Sequence, residues 1–176
     1  MGKITFILGG ARSGKSTYAL KLAAKRNKVA FIATCQARDK EMSERIKLHK
    51  RSRPLHWETF EEPCAPSVLL NKIGDGFEVI LIDCLTLLIS NLMLKGMKED
   101  KIKQEIDSLI DVLKKIKAES IIVSNEVGLG IVPNNKLARD FRDIAGKINQ
   151  VVAEESSRVF FMVSGMPIQI NTRRKR

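Results

Sequence analysis

Short apolar segments alternate with longer amphipathic ones along most of the chain. Each short segment is almost continuously apolar and rich in β-branched or aromatic residues, which is typical of strands buried on both faces of a sheet. We therefore predict β-strands at Ile4–Leu8, Val29–Ala33, Val79–Ile82, Ile121–Val123 and Val159–Val163.

The longer segments place apolar residues three or four positions apart, which is the spacing of an amphipathic helix. Helices are predicted at residues 14–26, 40–52, 85–94, 99–117 and 134–153. The segment 85–94 is apolar almost all round, so we expect either the sheet or another subunit to cover it. Residues 54–77 are less regular and are predicted to form a loop, a short strand near Trp57–Phe60 and a short helix.

This alternation of strands and helices predicts an α/β fold. In such a fold the strands form a mainly parallel sheet, and the helices pack on both of its faces. The 176 residues are enough for one hydrophobic core. We therefore expect a single domain over residues 1–170, followed by a basic tail over residues 171–176.

The composition excludes several classes of protein. Hydrophobic residues make up 44% of the chain and charged residues 29%, which argues against a disordered or fibrous protein. No apolar run is long enough to span a membrane, and the first residues lead into a strand rather than a signal peptide. A cytoplasmic protein is therefore expected. The cysteines are Cys35, Cys64 and Cys84. They are odd in number and far apart, with no CxxC pair, which argues against a disulfide framework or a zinc site.

The formal net charge of +11 has two possible explanations. One is nucleic-acid binding, and the other is a pocket for several phosphates together with a solvated basic surface. Basic residues concentrate in segments 21–28, 45–53 and 173–176. Aromatic residues do not alternate with them as they would in a base-stacking surface. We therefore expect no nucleic-acid partner.

The most specific motif is a glycine-rich loop between the first predicted strand and the first predicted helix. It matches G-x-x-x-x-G-K-[ST], the P-loop pattern, so a P-loop NTPase-like domain is expected. Backbone N–H groups and the helix N-terminus bind phosphates there, Lys15 reaches the outer phosphates, and the Ser16 hydroxyl can bind Mg²⁺. The motif consists of Gly9, Gly10, Ala11, Arg12, Ser13, Gly14, Lys15 and Ser16.

A carboxylate, Asp83, ends the predicted strand that begins at Val79. We expect this strand end to lie beside the P-loop in the sheet, where Asp83 would hold Mg²⁺ directly or through water. The alternative is that the residue only caps the following helix. Together the two motifs predict a site for a nucleoside triphosphate and Mg²⁺, without specifying the reaction.

His49 lies among the cations of the second predicted helix. A neutral imidazole can attack phosphorus, and neighbouring cations favour the neutral form and stabilise the transition state. The residues alone nevertheless favour a structural histidine at a helix end, and the same holds for His56.

The segment 124–135 follows the strand Ile121–Val123 at the sheet edge where ligands bind in α/β proteins. Its Glu126 has two interpretations. In the first, its carboxylate orients a substrate hydroxyl or removes the proton of that hydroxyl. In the second, the segment is simply a turn and a helix cap.

Several segments together resemble the bifunctional adenosylcobinamide kinase / adenosylcobinamide-phosphate guanylyltransferase family of cobalamin biosynthesis. The resemblance is colinear and covers nearly the whole chain, and the histidine segment and the late motif are more specific than a P-loop alone. The matching segments are residues 9–16, 31–36, 39–57, 80–93, 124–150 and 163–170.

This resemblance implies a two-step enzyme that uses GTP and ATP with Mg²⁺. A hydroxyl of adenosylcobinamide is phosphorylated, and GMP from GTP is then attached to the new phosphate. The resemblance makes His49 the residue that carries GMP as a phosphoramidate, which reverses the structural interpretation, and makes Lys15 a second catalytic residue. It also implies a homotrimer. Beyond the P-loop it implies nucleotide contacts at Thr34, Cys35, Gln36, Lys50, Arg51, Arg53, Glu61 and Asp83.

Two other functions are considered beside this one. A P-loop kinase for another small hydroxyl compound would keep Lys15, Ser16 and Asp83 but make His49 structural. A nucleotide-dependent switch or a nucleic-acid-binding module would instead use the +11 charge. In the second case, the affinity for nucleic acid would fall steeply as the salt concentration rises.

Overall fold

The structure is a computed structural model that describes residues 2–37, 40–51, 53–73 and 75–170. The basic tail predicted at residues 171–176 lies outside the described residues. The strands are β1 (Ile4–Gly9), β2 (Val29–Ala33), β3 (Glu58–Glu61), β4 (Val79–Asp83), β5 (Glu119–Val123), β6 (Arg158–Val163) and β7 (Met166–Ile170). The helices are α1 (Lys15–Ala23), α2 (Lys40–Arg51), α3 (Pro66–Ile73), α4 (Leu85–Leu94), α5 (Glu99–Lys115) and α6 (Lys136–Glu155).

Within the described ranges the strands form one seven-stranded sheet in the order β3-β2-β4-β5-β1-β6-β7. All neighbouring pairs are parallel except β6 and β7, which are antiparallel. The prediction of a mainly parallel sheet is therefore confirmed.

The two faces of the sheet are buried in two separate cores. Ile80 and Ile82 of β4 belong to the core that α3, α4, α5 and α6 cover. Leu81, between them, belongs to the core that α1 covers. Because successive strand residues point to opposite faces, a strand buried on both faces must be continuously apolar. This explains why the strands could be found from the sequence, and it confirms that helices pack on both faces.

Helix α4 is covered by its own chain. Its residues Leu85, Leu88 and Ile89 have no exposed surface and pack in the core under the sheet. Each such side chain contributes on the order of 1.5–3 kcal/mol of transfer free energy on burial. Among the described residues, no helix is both long enough and apolar enough to cross a membrane.

The strand β7 was not predicted. Pro167 argues against a strand because it cannot donate a hydrogen bond, but at the edge of a sheet that donor is not needed. The turn before β7 consists of Ser164 and Gly165, with φ angles of 50° and 84°. Positive φ angles at both central residues are typical of the turns that join antiparallel strands.

The predicted position of β4 beside the P-loop strand is wrong. Strand β5 lies between β4 and β1, with Val123 of β5 paired to Asp83 on one side and to Ile7 on the other. Neighbouring strands are about 4.8 Å apart, so about 10 Å separates β4 from β1. Asp83 must therefore act on the P-loop across the end of β5.

Candidate nucleotide-binding site

The P-loop joins β1 to α1 in a tight backbone turn. The N–H of Ser13 donates to the carbonyl of Gly10 at 3.3 Å. Gly9 has to be glycine because a Cβ there would lie 2.8 Å from the backbone carbonyl oxygen of Met162. Gly14 has a φ of 93°, which L side chains rarely adopt. The structure thus places the predicted residues Gly9 to Ser16 in one loop that opens a helix, as the motif requires.

Lys15 lies over this loop rather than in solvent. Only 7% of the residue is exposed, and its Nζ donates to the carbonyl of Gly10 at 2.5 Å and to Ser13 Oγ at 3.5 Å. An anion held by the backbone of the loop would meet this ammonium group directly.

The electrostatic environment of Lys15 has two opposing parts. Burial lowers the pKa of Lys15, whereas negative charge at Cys84 and Asp83 raises it. Burial raises the pKa of Cys84 to about 11, so this thiol is neutral at pH 7. The Asp83 carboxylate is therefore the negative charge that acts on Lys15 at neutral pH, although β5 separates their strands.

Thr34 supports the end of β4. Its hydroxyl donates to the carbonyl of Cys84 at 2.7 Å and accepts from the Cys84 N–H at 2.8 Å. Its own carbonyl accepts from Asn91 Nδ2 at 2.8 Å, and the Asp83–Cys84 peptide bond is cis. Thr34 is completely buried, so the structure places it behind Asp83 rather than on the surface. The next expected residues are half-buried Cys35 and exposed Gln36.

Basic residues at the end of α2 and just after it lie near the carboxyl ends of β2, β3 and β4. The guanidinium of Arg53 lies 3.6 Å from the ring centroid of Phe31. Burial lowers the pKa of Arg53, and the carboxylates of Asp83 and Glu61 oppose this shift. Lys50 forms an ion pair with Glu61. The structure therefore brings four of the expected nucleotide residues together.

A cavity of about 300 Å³ opens beside this cluster. Arg51, at the end of α2, is exposed. His49 directly precedes Lys50 in α2, but the side chain of His49 lies outside the part of the chain that the structure describes. The cavity is lined by Lys50, Arg53, Pro54, Leu55, Thr59 and Glu61.

The loop after β5 is tied to the P-loop. The N–H of Glu126 donates to the carbonyl of Gly9 at 3.0 Å. The Glu126 carboxylate accepts from the N–H of Gly128 at 2.8 Å, so it stabilises the turn that follows. This contact fits the turn-cap interpretation, and the backbone hydrogen bond places the start of the loop beside the P-loop.

Supporting residues under the site were not predicted. Asn125 Nδ2 donates to Thr86 Oγ1 at 2.8 Å, and Asn149 Oδ1 accepts from Ser124 Oγ at 2.8 Å. Asn149 is buried although it lies on the apolar face of α6. A polar residue on an otherwise apolar helix face was the sequence signal for this network, because buried polar groups need partners.

Ser16 and Asp83 carry oxygen atoms of the kinds that bind Mg²⁺. Both residues are half-buried, and a hydroxyl and a carboxylate are ligands that this ion accepts. In the described part of the chain, no group of three or more His, Cys, Asp or Glu residues could hold a metal ion. Mg²⁺ usually takes only one or two protein ligands and completes its shell with water and phosphate oxygens, so the donor set is compatible with it.

The sequence of the chain is similar to one family of proteins and to three of its members. The sequence model of the family described as "Cobinamide kinase / cobinamide phosphate guanyltransferase" matches residues 5–170. The bifunctional adenosylcobalamin biosynthesis protein CobP of Pseudomonas aeruginosa is 44% identical over 93% of this chain and 95% of its own. The corresponding CobU proteins of Escherichia coli and Salmonella typhimurium are 40% and 39% identical over 93% of this chain and 97% of theirs.

Comparison with solved structures finds the same fold in a more distant protein. The RadB recombinase superposes with a TM-score of 0.53 at 14% sequence identity. The superposition covers 91% of this chain and 74% of the recombinase. At this identity the similarity concerns the P-loop NTPase-like fold alone.

Proposed function

The chain belongs to the cobinamide kinase / cobinamide phosphate guanyltransferase family, and we propose that it phosphorylates adenosylcobinamide and then guanylylates the product. GTP or ATP is the donor in the first step, and GTP is the donor in the second. The final products are adenosylcobinamide-GDP and pyrophosphate. The enzyme works in the cytoplasm, where nucleoside triphosphates are available.

In the kinase step the substrate hydroxyl gives up its proton and attacks the γ-phosphorus. A new O–P bond forms, the bond from the γ-phosphorus to the bridging oxygen breaks, and the nucleoside diphosphate leaves. The P-loop backbone binds the phosphates, and Lys15 neutralises charge that develops on their oxygens. Its position over the Gly10 carbonyl supports this role. Ser16 and Asp83 would hold Mg²⁺, which supplies further neutralisation of phosphate charge when bound.

In the guanylyl step a ring nitrogen of His49 attacks the α-phosphorus of GTP, and pyrophosphate leaves. The phosphate of the first product then attacks the same phosphorus, and the N–P bond breaks to release the histidine. Lys50, Arg53 and Glu61 bind the nucleotide, together with Cys35, Gln36 and Arg51 at the same end of the sheet. The convergence of Arg53 with Asp83 and Glu61 supports this assignment.

One observation carries the proposal. The charge of the Asp83 carboxylate acts both on the P-loop lysine, Lys15, and on Arg53, which follows the end of α2. A triphosphate bound at this sheet edge therefore has cations at both ends. Such an arrangement suits attack at the γ-phosphorus and at the α-phosphorus.

The test is to incubate the protein with Mg²⁺ and GTP labelled at the α-phosphate, without corrinoid, and then to denature it. An acid-labile and alkali-stable label is expected, because a phosphoramidate has this stability. The label should disappear in His49→Ala and persist in His56→Ala, a control at an exposed histidine. If bound GTP leaves no label, guanylyl transfer through His49 is excluded, and a simple kinase is the better account.

The proposed assembly is a homotrimer. Helix α4 gives no support to the homotrimer, because the core of the same chain, and not another subunit, covers it. Support comes from edge strand β7, where Met166, Ile168 and Ile170 are 64%, 55% and 45% exposed. Sedimentation equilibrium should give three times the chain mass for the wild type and a smaller mass for Ile168→Lys. An unchanged mass in the variant would remove β7 from the interface.

A further inference from the structure

The segment between β5 and α6 presents large apolar side chains to solvent. Leu129 is 80% exposed, Ile131 96% and Val132 57%. Leu137, in the first turn of α6, is 58% exposed. We call these four residues the apolar loop face. Large apolar side chains that are exposed close together in the sequence point to a binding surface.

The loop that carries this face is anchored at both ends. At its start, the Glu126 carboxylate accepts from the N–H of Gly128 at 2.8 Å. At its end, Arg139 Nη1 donates to the carbonyls of Pro133 and Asn134 at 3.0 and 2.7 Å. The side chain of Asn135 then caps α6 by accepting from the Ala138 N–H. The exposed side chains are therefore carried by a loop that is anchored at both ends, which limits the positions that they can take.

The face begins next to the phosphate site. Glu126 donates through its backbone to Gly9 of the P-loop at 3.0 Å. Leu129 follows three residues later, and an extended chain of that length reaches about 10 Å. A molecule lying on the face can therefore bring one of its groups to the phosphates.

A groove continues the face on its far side. Leu137 belongs both to the face and to the lining of this groove, which has a volume of about 510 Å³. The groove lies between the end of α4, the start of α5 and the first half of α6. Met93, Met97 and Ile144 give it apolar surface, whereas Glu99 and Lys147 form an ion pair at its rim. Its volume lies within the range of small-molecule sites.

We propose that the apolar loop face and this groove bind the corrinoid macrocycle of the acceptor substrate. This inference rests on the proposed function. A corrinoid is a large ring with apolar surface and carboxamide groups on its rim. The loop face matches the ring, and the charged groove rim can exchange hydrogen bonds with the amides.

The position of the face identifies its occupant as the substrate rather than a second copy of the chain. In the kinase step the acceptor hydroxyl has to reach the γ-phosphate, so the body of the acceptor must lie on a surface that adjoins the P-loop. The apolar loop face adjoins it through the contact between Glu126 and Gly9. The exposed edge of β7 gives a separate surface for contacts between subunits.

The experiment compares the double variant Leu129→Ser/Ile131→Ser with the wild type. Both side chains are exposed, so their loss leaves the fold intact. The KM for adenosylcobinamide should rise about 10-fold or more, because two aliphatic side chains no longer bury surface against the ring. Labelling of His49 by GTP needs no corrinoid and should stay within about 2-fold of the wild type. Val68→Ser is the matched control, because Val68 is 50% exposed on α3, and its KM should not change.

Three results would overturn the inference. The first is an unchanged KM for the corrinoid in the double variant. The second is a loss of His49 labelling, which would assign the loop to the nucleotide site. The third is a smaller assembly of the double variant than of the wild type in sedimentation equilibrium, which would make the apolar loop face a subunit contact. If the wild type is not labelled either, the proposed guanylyl transfer is wrong. Equilibrium dialysis of the coloured corrinoid against wild type and double variant then still tests whether the apolar loop face binds it.

Discussion

Gly14 of the P-loop lies directly against Gly165 of the β6–β7 turn. A Cβ on Gly14 would be 3.1 Å from the Cα of Gly165. The N–H of Gly165 also donates to the carbonyl of Ser13 at 3.0 Å. The β6–β7 turn thus packs against the P-loop. Residues from near the two ends of the described chain therefore belong to one site.

Gly14→Ala should weaken nucleotide binding at least about 10-fold. The φ of 93° is unfavourable for alanine, and the new Cβ presses on the Gly165 backbone, so the loop must shift its N–H groups. Titration calorimetry with GTP and Mg²⁺ measures the effect.

Gly165→Ala separates backbone strain from this contact. Gly165 has a φ of 84°, but a Cβ there would meet nothing within 4 Å. We expect a loss of unfolding free energy of about 1 kcal/mol and GTP binding within about 3-fold of the wild type. Equal losses of GTP affinity in both variants would show that the close approach of the two glycines is unimportant.

Lys15→Met should lower kcat/KM of both reactions at least about 100-fold while leaving the fold stable. The ammonium is the charge that meets the phosphates, and removal of such a group costs about 3 kcal/mol or more of transition-state stabilisation. Because burial of the charged form is itself unfavourable, the free energy of unfolding should stay within about 1 kcal/mol of the wild type. Steady-state kinetics and urea unfolding measure the two effects.

Lys21→Met is the control for Lys15→Met. Lys21 lies on the same helix and is exposed, so its loss should leave kinetics and stability unchanged. Normal activity in Lys15→Met would contradict the assignment of this lysine to the reaction.

Arg53→Lys should weaken GTP binding and lower stability, because lysine keeps the charge but loses the planar group that lies on Phe31. We expect a KM for GTP several-fold higher and a loss of about 1 kcal/mol of unfolding free energy. A double-mutant cycle with Phe31→Leu should give a coupling energy of about 0.5–1 kcal/mol. A coupling energy of zero would mean that the ring does not hold the guanidinium.

The sequence predicted those parts of the molecule that depend on local pattern. Buried strands such as β2 and β4 had to be apolar on both faces, and the P-loop requires particular residues at fixed spacing. Strand order depends on contacts between distant segments, so the insertion of β5 between β1 and β4 was not visible. The edge strand β7 was missed because its proline is tolerated only at that position in the sheet.

The candidate site shows the same division. The motif residues could be named, whereas the burial of Thr34 behind Asp83 depends on how β2 and β4 pair. The support of the P-loop by Gly165 joins residues far apart in sequence. Neither relationship leaves a local pattern from which it could be predicted.

Cys84 should make the stability of the protein depend on alkaline pH. Burial raises the pKa of its thiol from 9.0 to about 11, so the folded state keeps a proton that the unfolded state has lost. This contribution to stability is complete below pH 9 and is lost as the pH rises to about 11. A shift of this size corresponds to about 3 kcal/mol, and Cys84→Ala removes it.

The measurement is the difference in unfolding free energy between wild type and Cys84→Ala at several pH values. At pH 7 the thiol is protonated in both states, so the difference there reports only packing and the contact with Thr86 Oγ1 at 3.2 Å. Between pH 9 and 11 the wild type should lose about 3 kcal/mol relative to the variant. Parallel curves over this range would contradict the burial of a protonated thiol next to Asp83, and with it the conclusion that Asp83, and not Cys84, carries the negative charge that acts on Lys15 at neutral pH.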